Sequence, residues 1–164
     1  MNIWRLIPHH IDPAKYAEWS RNKGTIAIGW GQMGDLRNHV FHDVNGLKQI
    51  TARAHSTYPT NSKVNGGNSL WRLYHEMQKG DLVIISAKGS RKLTMRVTGD
   101  YYFVGTLDDP SHYYEHRRKA EVVLIDPNRL WHIAGGAAPG EGKYSTLIRC
   151  ANALAEAEAD ALTD

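Results

Sequence analysis

The segment GDLVIISAKGSRKLTMRVTGDYYFVG, residues 80–105, constrains the fold more than any other part of the chain. Two runs rich in β-branched and aromatic residues, Leu82 to Ala87 and Leu93 to Val104, flank a Gly-Ser-Arg-Lys turn. That pattern predicts an antiparallel hairpin. Further strands are expected at Met1 to Pro8, where Ile3, Arg5 and Ile7 alternate with Trp4 and Leu6, and at TIAIGW, residues 25–30. Ala120 to Ile125 and Leu130 to Ala134 complete the strand expectations, and one curved sheet should hold the hairpin together with strands 2–7 and 25–30.

Helices are predicted from their start and stop signals. Asp12 precedes Pro13 and Gly24 follows the helical run, which is the usual punctuation of a short helix. Val44, Leu47, Ile50, Thr51 and Ala54 recur at helical spacing between Asp43 and His55. STYPTNSKVNGGNS reads as loop, with Asn68 or Ser69 capping a helix over LWRLYHEMQK, and GGAAPGEGK reads as a flexible loop. An alanine-rich helix is expected from Tyr144 onward. The order points to an α+β fold with a curved or barrel-like sheet, formed by one domain over 1–150 with a polar, acidic helical end over 151–164.

Composition narrows the function. A chain of 164 residues with 41% hydrophobic and 23% charged residues fits one domain with an ordinary core. No apolar run approaches the ~18 residues of a membrane span, and the start carries Arg5 without a signal-peptide core, so neither membrane insertion nor secretion is expected. Cys150 is the only cysteine, which excludes an internal disulfide and multi-cysteine metal sites and fits a cytoplasmic location. Its run STLIRCANALA suits a buried apolar thiol. The net charge of +3 and the acids toward the C-terminal end (Glu141, Glu156, Glu158, Asp160, Asp164) leave a more basic body, which is compatible with a polyanionic partner but is also common in proteins that bind none.

Candidate chemistry is sparse. GWGQMG at Gly29 to Gly34 matches G-x-G-x-x-G after a strand, but DLRNHVFHDV behind it lacks the apolar stripe of the helix that a dinucleotide site needs. A small nucleotide-dependent enzyme using that turn is therefore the alternative reading, beside a protein-interaction adaptor using the C-terminal helix. His9-His10, His39/His42 and His112/His116 have ligand-like spacing without companion acids or cysteines, so no metal or other cofactor is expected. No nucleophile elbow frames a catalytic serine. Aromatics at strand ends and in loops are plentiful instead: Trp30, Tyr58, Tyr101, Tyr102, Tyr113 and Tyr114, with Trp4, Trp19 and Trp71 assigned to the core. Converging aromatic planes can hold a flat base. Two basic clusters, Lys88/Arg91/Lys92 and Arg117/Arg118/Lys119, are candidate phosphate contacts.

Taken in order, IWRLIP, GTIAIGWGQMGDL, LWRLYHEMQKGDLVIISAKG, VTGDYYFVG and HRRKAEVVLID resemble the PUA-like superfamily. The likeness is to EVE- and YTH-type domains and the modified-base-reading modules of Mcr-type restriction systems, over about residues 2–133. The resemblance implies a small twisted β-barrel flanked by helices and no catalytic centre. It also implies a pocket for one modified base of DNA or RNA, with Trp30 as the cage tryptophan, Tyr101 and Tyr102 as further aromatics, and His9, His10 and Asp12 as polar contacts from the loop after the first strand. Ala120 and Val122 stand where Val and Trp are frequent in that family. Nucleic acid is the implied partner, with a separately encoded effector protein as a second one.

Overall fold

The computed structural model describes residues 1–8, 12–87, 89–105 and 114–163. The chain is α+β, and its elements run β1 (Ile3–Leu6), α1 (Pro13–Lys23), β2 (Thr25–Ile28), α2 (Val44–Ala54), α3 (Thr60–Trp71), β3 (Leu82–Ala87), β4 (Ser90–Phe103), β5 (His116–Val122), α4 (Pro127–Ile133), β6 (Leu147–Arg149) and α5 (Glu156–Asp160). Short 3-10 turns follow β2 at Gly31–Met33 and Leu36–Asn38, and a π-helical turn, Arg72–Glu76, continues α3.

Six strands form one mixed sheet in the order β2-β5-β4-β3-β1-β6. β3 and β4 make the expected antiparallel hairpin, with a register shift between Ile85 and Ser86. β1 lies parallel to β3, β6 antiparallel to β1, and β2 antiparallel to β5, so strands 1 and 2 join the hairpin's sheet as expected. Among the described residues the two outer strands, β2 and β6, do not pair with each other, so the sheet is open and the barrel implied by the resemblance is not closed.

Open geometry follows from where the apolar residues point. Trp4, Leu6, Val83 and Ile85 face a core shared with α1, α2 and α3, whereas Ile3, Leu82 and Ile84 face a second core with Leu130 of α4 and Ala159 of α5. Both faces of β1 and β3 are therefore covered, which explains their unbroken burial. Curling the sheet shut would exclude one of the two helical layers. Asp81 ties the centre together: its carboxylate accepts from the Trp4 indole N–H at 2.8 Å and from the main-chain N–H groups of Asn2 at 2.8 Å and Gln78 at 3.1 Å.

Several local expectations hold. The Asp12 carboxylate accepts from Ala14 N–H at 3.0 Å at the start of α1, and Gly24 ends it at φ +60°. Asp43 caps α2 in the same way, through Gly46 N–H at 2.8 Å. Others are corrected. STYPTNSKVNGGNS is helical from Thr60, because Gly66 and Gly67 serve close packing and not a turn: a Cβ on Gly67 would fall 2.7 Å from Lys48 Cα in α2. LWRLYHEMQK accordingly has no cap of its own and extends α3. Leu130 to Ala134 belongs to α4, whose Asp126-Pro127 start repeats the Asp12-Pro13 signal, the Asp126 carboxylate accepting from Arg129 N–H at 2.7 Å. The alanine-rich helix from Tyr144 is replaced by β6, recruited by the edge of β1, and by the short α5. Cys150 is buried at the end of β6, and burial pushes its thiol up to about 12.

Candidate functional site

β2 ends at Ile28, and the chain must reverse over Gly29 and Trp30 to enter the 3-10 turn. Trp30 makes that reversal at φ +63°, the only non-glycine residue in the left-handed region among those described. A bulky L-residue there costs roughly 1–2 kcal/mol, so the surroundings must hold it. They do so through a buried hydrogen-bond chain. Leu36 N–H donates to the Tyr101 hydroxyl at 3.1 Å, that hydroxyl donates to His116 Nδ1 at 2.8 Å, and His116 Nε2–H donates to the Trp30 carbonyl at 3.0 Å. The carbonyl can only accept, so it fixes the tautomer of His116. Burial pushes His116 down to about 4, which keeps the ring neutral.

The indole of Trp30 is 6% exposed and joins the main core, and its Nε1 edge lies against Gly66 of α3. The residue also lines a cavity of about 450 Å³, a size usual for ligand sites. Tyr114 provides a second aromatic wall, itself packed edge-on against Tyr16 at a centroid distance of 4.8 Å. Asn61, Ser62 and Asn65 line it from the first two turns of α3, and the segment Gly142–Thr146 from the opposite side. That segment is held by the buried Arg5, whose guanidinium donates to the carbonyls of Lys143 at 2.8 Å and Ser145 at 3.1 Å. Arg72 anchors its flanks, donating to the Leu147 carbonyl at 2.6 Å and pairing with the Glu141 carboxylate at 2.9 Å. Lys143 is the one charged residue in the described lining, so the cavity is aromatic and neutral with a single cation.

Sequence-derived site residues divide sharply. Trp30 lines the cavity. Tyr101 is 8% exposed and packs edge-on against Tyr74 at 4.9 Å, acting on Trp30 only through His116. Tyr102, on the opposite face of β4, bonds Thr25 Oγ1 at 2.9 Å. Neither tyrosine lines the cavity, and Asp12 is engaged as the α1 cap. His9, His10 and Lys88 lie outside the described residues.

The basic clusters do not form one exposed face. Arg118 is buried and donates to the carbonyls of Leu73 at 2.6 Å, Tyr74 at 3.1 Å and Gly99 at 3.2 Å. Arg117 is also buried, bonded to the Tyr114 carbonyl at 2.7 Å and set over the Trp19 ring. Arg91 bonds Asn128 at 3.1 Å and covers Trp131, Lys92 stands beside α1, and Lys119 is exposed on β5. The G-x-G-x-x-G segment opens a 3-10 turn and not a helix, and β2 is an outer strand.

Asn61, Ser62, Asn65 and Thr146 were absent from the sequence-derived site. Their signal is a polar stripe at Asn61, Asn65 and Ser69, four residues apart, which becomes visible only when the segment is read as helix.

The fold and site define an α+β domain with a six-stranded open sheet and an aromatic-walled, largely uncharged cavity at the end of β2. A family model described as "Domain of unknown function (DUF8426)" matches residues 4–128, most of the chain, and the chain belongs to that family. The matched span includes Trp30, α3 and Tyr114 but stops short of the 142–146 wall. No curated protein matches the chain.

Proposed function

We propose that this chain is a non-enzymatic nucleic-acid-binding domain that recognises a modified base in the Trp30 cavity, and that its architecture is an opened variant of the PUA-like, EVE/YTH-type fold. The observation that carries this reading is Trp30 itself. A strained left-handed backbone, braced by Tyr101 and His116, supports an indole at the wall of a cavity of about 450 Å³ beside Tyr114. Strain of this kind gathers at functional sites, and aromatic walls with neutral amides and hydroxyls suit a flat, uncharged, hydrogen-bonding ring. Phosphates would be met by exposed cations, Lys143 at the cavity and Lys92 and Lys119 on the strands. A cytoplasmic location and a separately encoded effector, which would convert binding into an output, complete the proposal.

The test is titration of wild type and Trp30→Ala with single- and double-stranded DNA and RNA oligonucleotides that differ at one base, ordinary or modified, at one salt concentration. Phosphate contacts are common to all members of the set, so a preference comes from the pocket. Loss of preference in a Trp30→Ala variant that a thermal melt shows to be folded supports the reading, at roughly 1–3 kcal/mol for one lost stack. Equal affinity of the wild type for every base, or binding to none, refutes it.

A further inference from the structure

We propose that Asn65 is the specificity-determining residue of the cavity, and that it selects a base whose exposed edge presents a hydrogen-bond acceptor, a carbonyl oxygen or an unprotonated ring nitrogen. This rests on the base-binding reading above.

The Asn65 amide is held by three bonds. Its Oδ1 accepts from the main-chain N–H of Thr146 at 3.3 Å and from the Ser69 hydroxyl at 3.2 Å, and its Nδ2 donates to Thr146 Oγ1 at 3.3 Å. A main-chain N–H can only donate, so the oxygen of the amide must face Thr146 N. Ser69 has its own direction set, because its oxygen already accepts from Leu147 N–H at 3.3 Å, leaving its hydrogen for Asn65. Turning the amide over would set Nδ2 against the Thr146 N–H and forfeit that bond. The nitrogen is therefore fixed as the donor. One of its two hydrogens goes to Thr146 Oγ1, and the second has no partner among the described residues while Asn65 lines the cavity.

The other polar side chains of the lining do not discriminate in this way. Asn61 is exposed, and Ser62 and Ser145 carry hydroxyls that rotate to donate or accept. The Trp30 Nε1 is turned to Gly66. Lys143 is exposed on a flexible stem. Asn65 is thus the amide whose donor stays a donor whatever enters, and a ligand edge offering N–H or NH₂ at that point would set donor against donor, each desolvated and unpaired.

The variant Asn65→Asp isolates this feature. Its carboxylate can still accept from Thr146 N–H and Ser69, and the Thr146 hydroxyl can turn to donate to the second oxygen, but the group offered to the cavity changes from donor to acceptor. Val64→Asp places the same charge on the exposed side of α3, outside the lining, without touching the fixed donor and serves as the control.

The probes are fluorescent oligonucleotides identical but for one central base, covering the four ordinary bases with their methylated and hydroxymethylated forms. For the preferred base, a further pair has each acceptor replaced by C–H. The wild type should bind its preferred base about tenfold more tightly than the matching C–H analogue. Asn65→Asp should lose that discrimination, and Val64→Asp should affect all probes alike and keep it. Should Asn65→Asp fail to fold by thermal melt, the wild-type comparison with the C–H analogues decides alone. Discrimination retained in folded Asn65→Asp, or C–H analogues bound as tightly as the parent, overturns the assignment of Asn65 and leaves the Trp30 reading standing. A wild type without any base preference overturns both.

Discussion

Replacing Trp30 by alanine and by glycine separates two roles that the structure gives this residue, packing and backbone strain, from the proposed third, stacking on a ligand. Both variants remove an indole that is 6% exposed, and such a deletion from a core costs about 3–5 kcal/mol. The backbone contribution differs. Alanine keeps the penalty of φ +63°, roughly 1–2 kcal/mol, which glycine escapes. Glycine gives back roughly 0.4–1 kcal/mol through the freedom of its unfolded chain. Trp30→Gly should therefore be the more stable of the two by about 1 kcal/mol, or some 2–4 °C in melting temperature for a chain of this size. That order is opposite to the one found at ordinary positions. Calorimetric or circular-dichroism melts decide it, and an alanine variant melting above the glycine variant refutes the strain argument. Binding measured well below both melting points adds the second half. If the indole stacks on a base, the two variants lose affinity equally although their stabilities differ; affinity that follows stability would instead reduce Trp30 to packing.

Three further perturbations read other parts of the same construction. His116 is held near pKa 4 against an ordinary 6.5, so its stabilisation is complete above pH 6.5 and is lost as pH falls toward 4, when the unfolded chain takes up a proton that the native ring refuses. Urea unfolding of wild type and His116→Gln at pH 7 and pH 5 should show their stability difference shrinking by about 2 kcal/mol at the lower pH, and an unchanged difference would count against the buried neutral ring. Gly66→Ala, which in an ordinary helix adds up to about 1 kcal/mol, should lower the melting temperature here, because the new Cβ would meet Trp30 Nε1 at 2.5 Å; a higher melting temperature would show that the indole yields freely. Arg118→Met should destabilise the fold by roughly 3 kcal/mol through the carbonyls of Leu73, Tyr74 and Gly99 while leaving the salt dependence of oligonucleotide binding unchanged, and a normal melt with a flatter salt slope would return Arg118 to the phosphate-binding surface.

Elements whose signals are local were legible in the sequence. Asp12-Pro13 and Gly24 bracket α1, Asp43 opens α2, and the β3-β4 hairpin carries its own pattern of apolar residues around a turn. What escaped depends on partners distant in the chain. Asn-Gly-Gly at residues 65–67 has the composition of a turn, yet the glycines exist for Trp30 and Lys48, which must come within contact of the α3 backbone. Leu147 to Arg149 becomes a strand because β1 offers an unpaired edge, so its alanine-rich continuation never extends into a long helix. By contrast, Asp126-Pro127 is a local helix start of the same kind as Asp12-Pro13, and it prevails over the short apolar run at Leu130 to Ala134.

The site divides along the same line, and periodicity alone separates two of the expected groupings. Side chains alternate across a strand, so adjacent Tyr101 and Tyr102 cannot both wall one cavity, and three consecutive cations, Arg117, Arg118 and Lys119, cannot share a face. The structure puts Tyr101 with His116 and Tyr102 with Thr25, on opposite sides of β4. Trp30 was recognisable as a turn residue because glycines flank it, whereas the burial of its indole against Gly66 depends on α3. Asn65 was not recognisable in that way. Its meaning arises from the contact of α3 with a segment some 80 residues later, where Thr146 fixes its amide and Arg5 fixes Thr146's segment. An isolated asparagine is ambiguous about whether it donates or accepts. Only the tertiary fold removes that ambiguity, and with it the cavity acquires a polarity that composition and spacing do not contain.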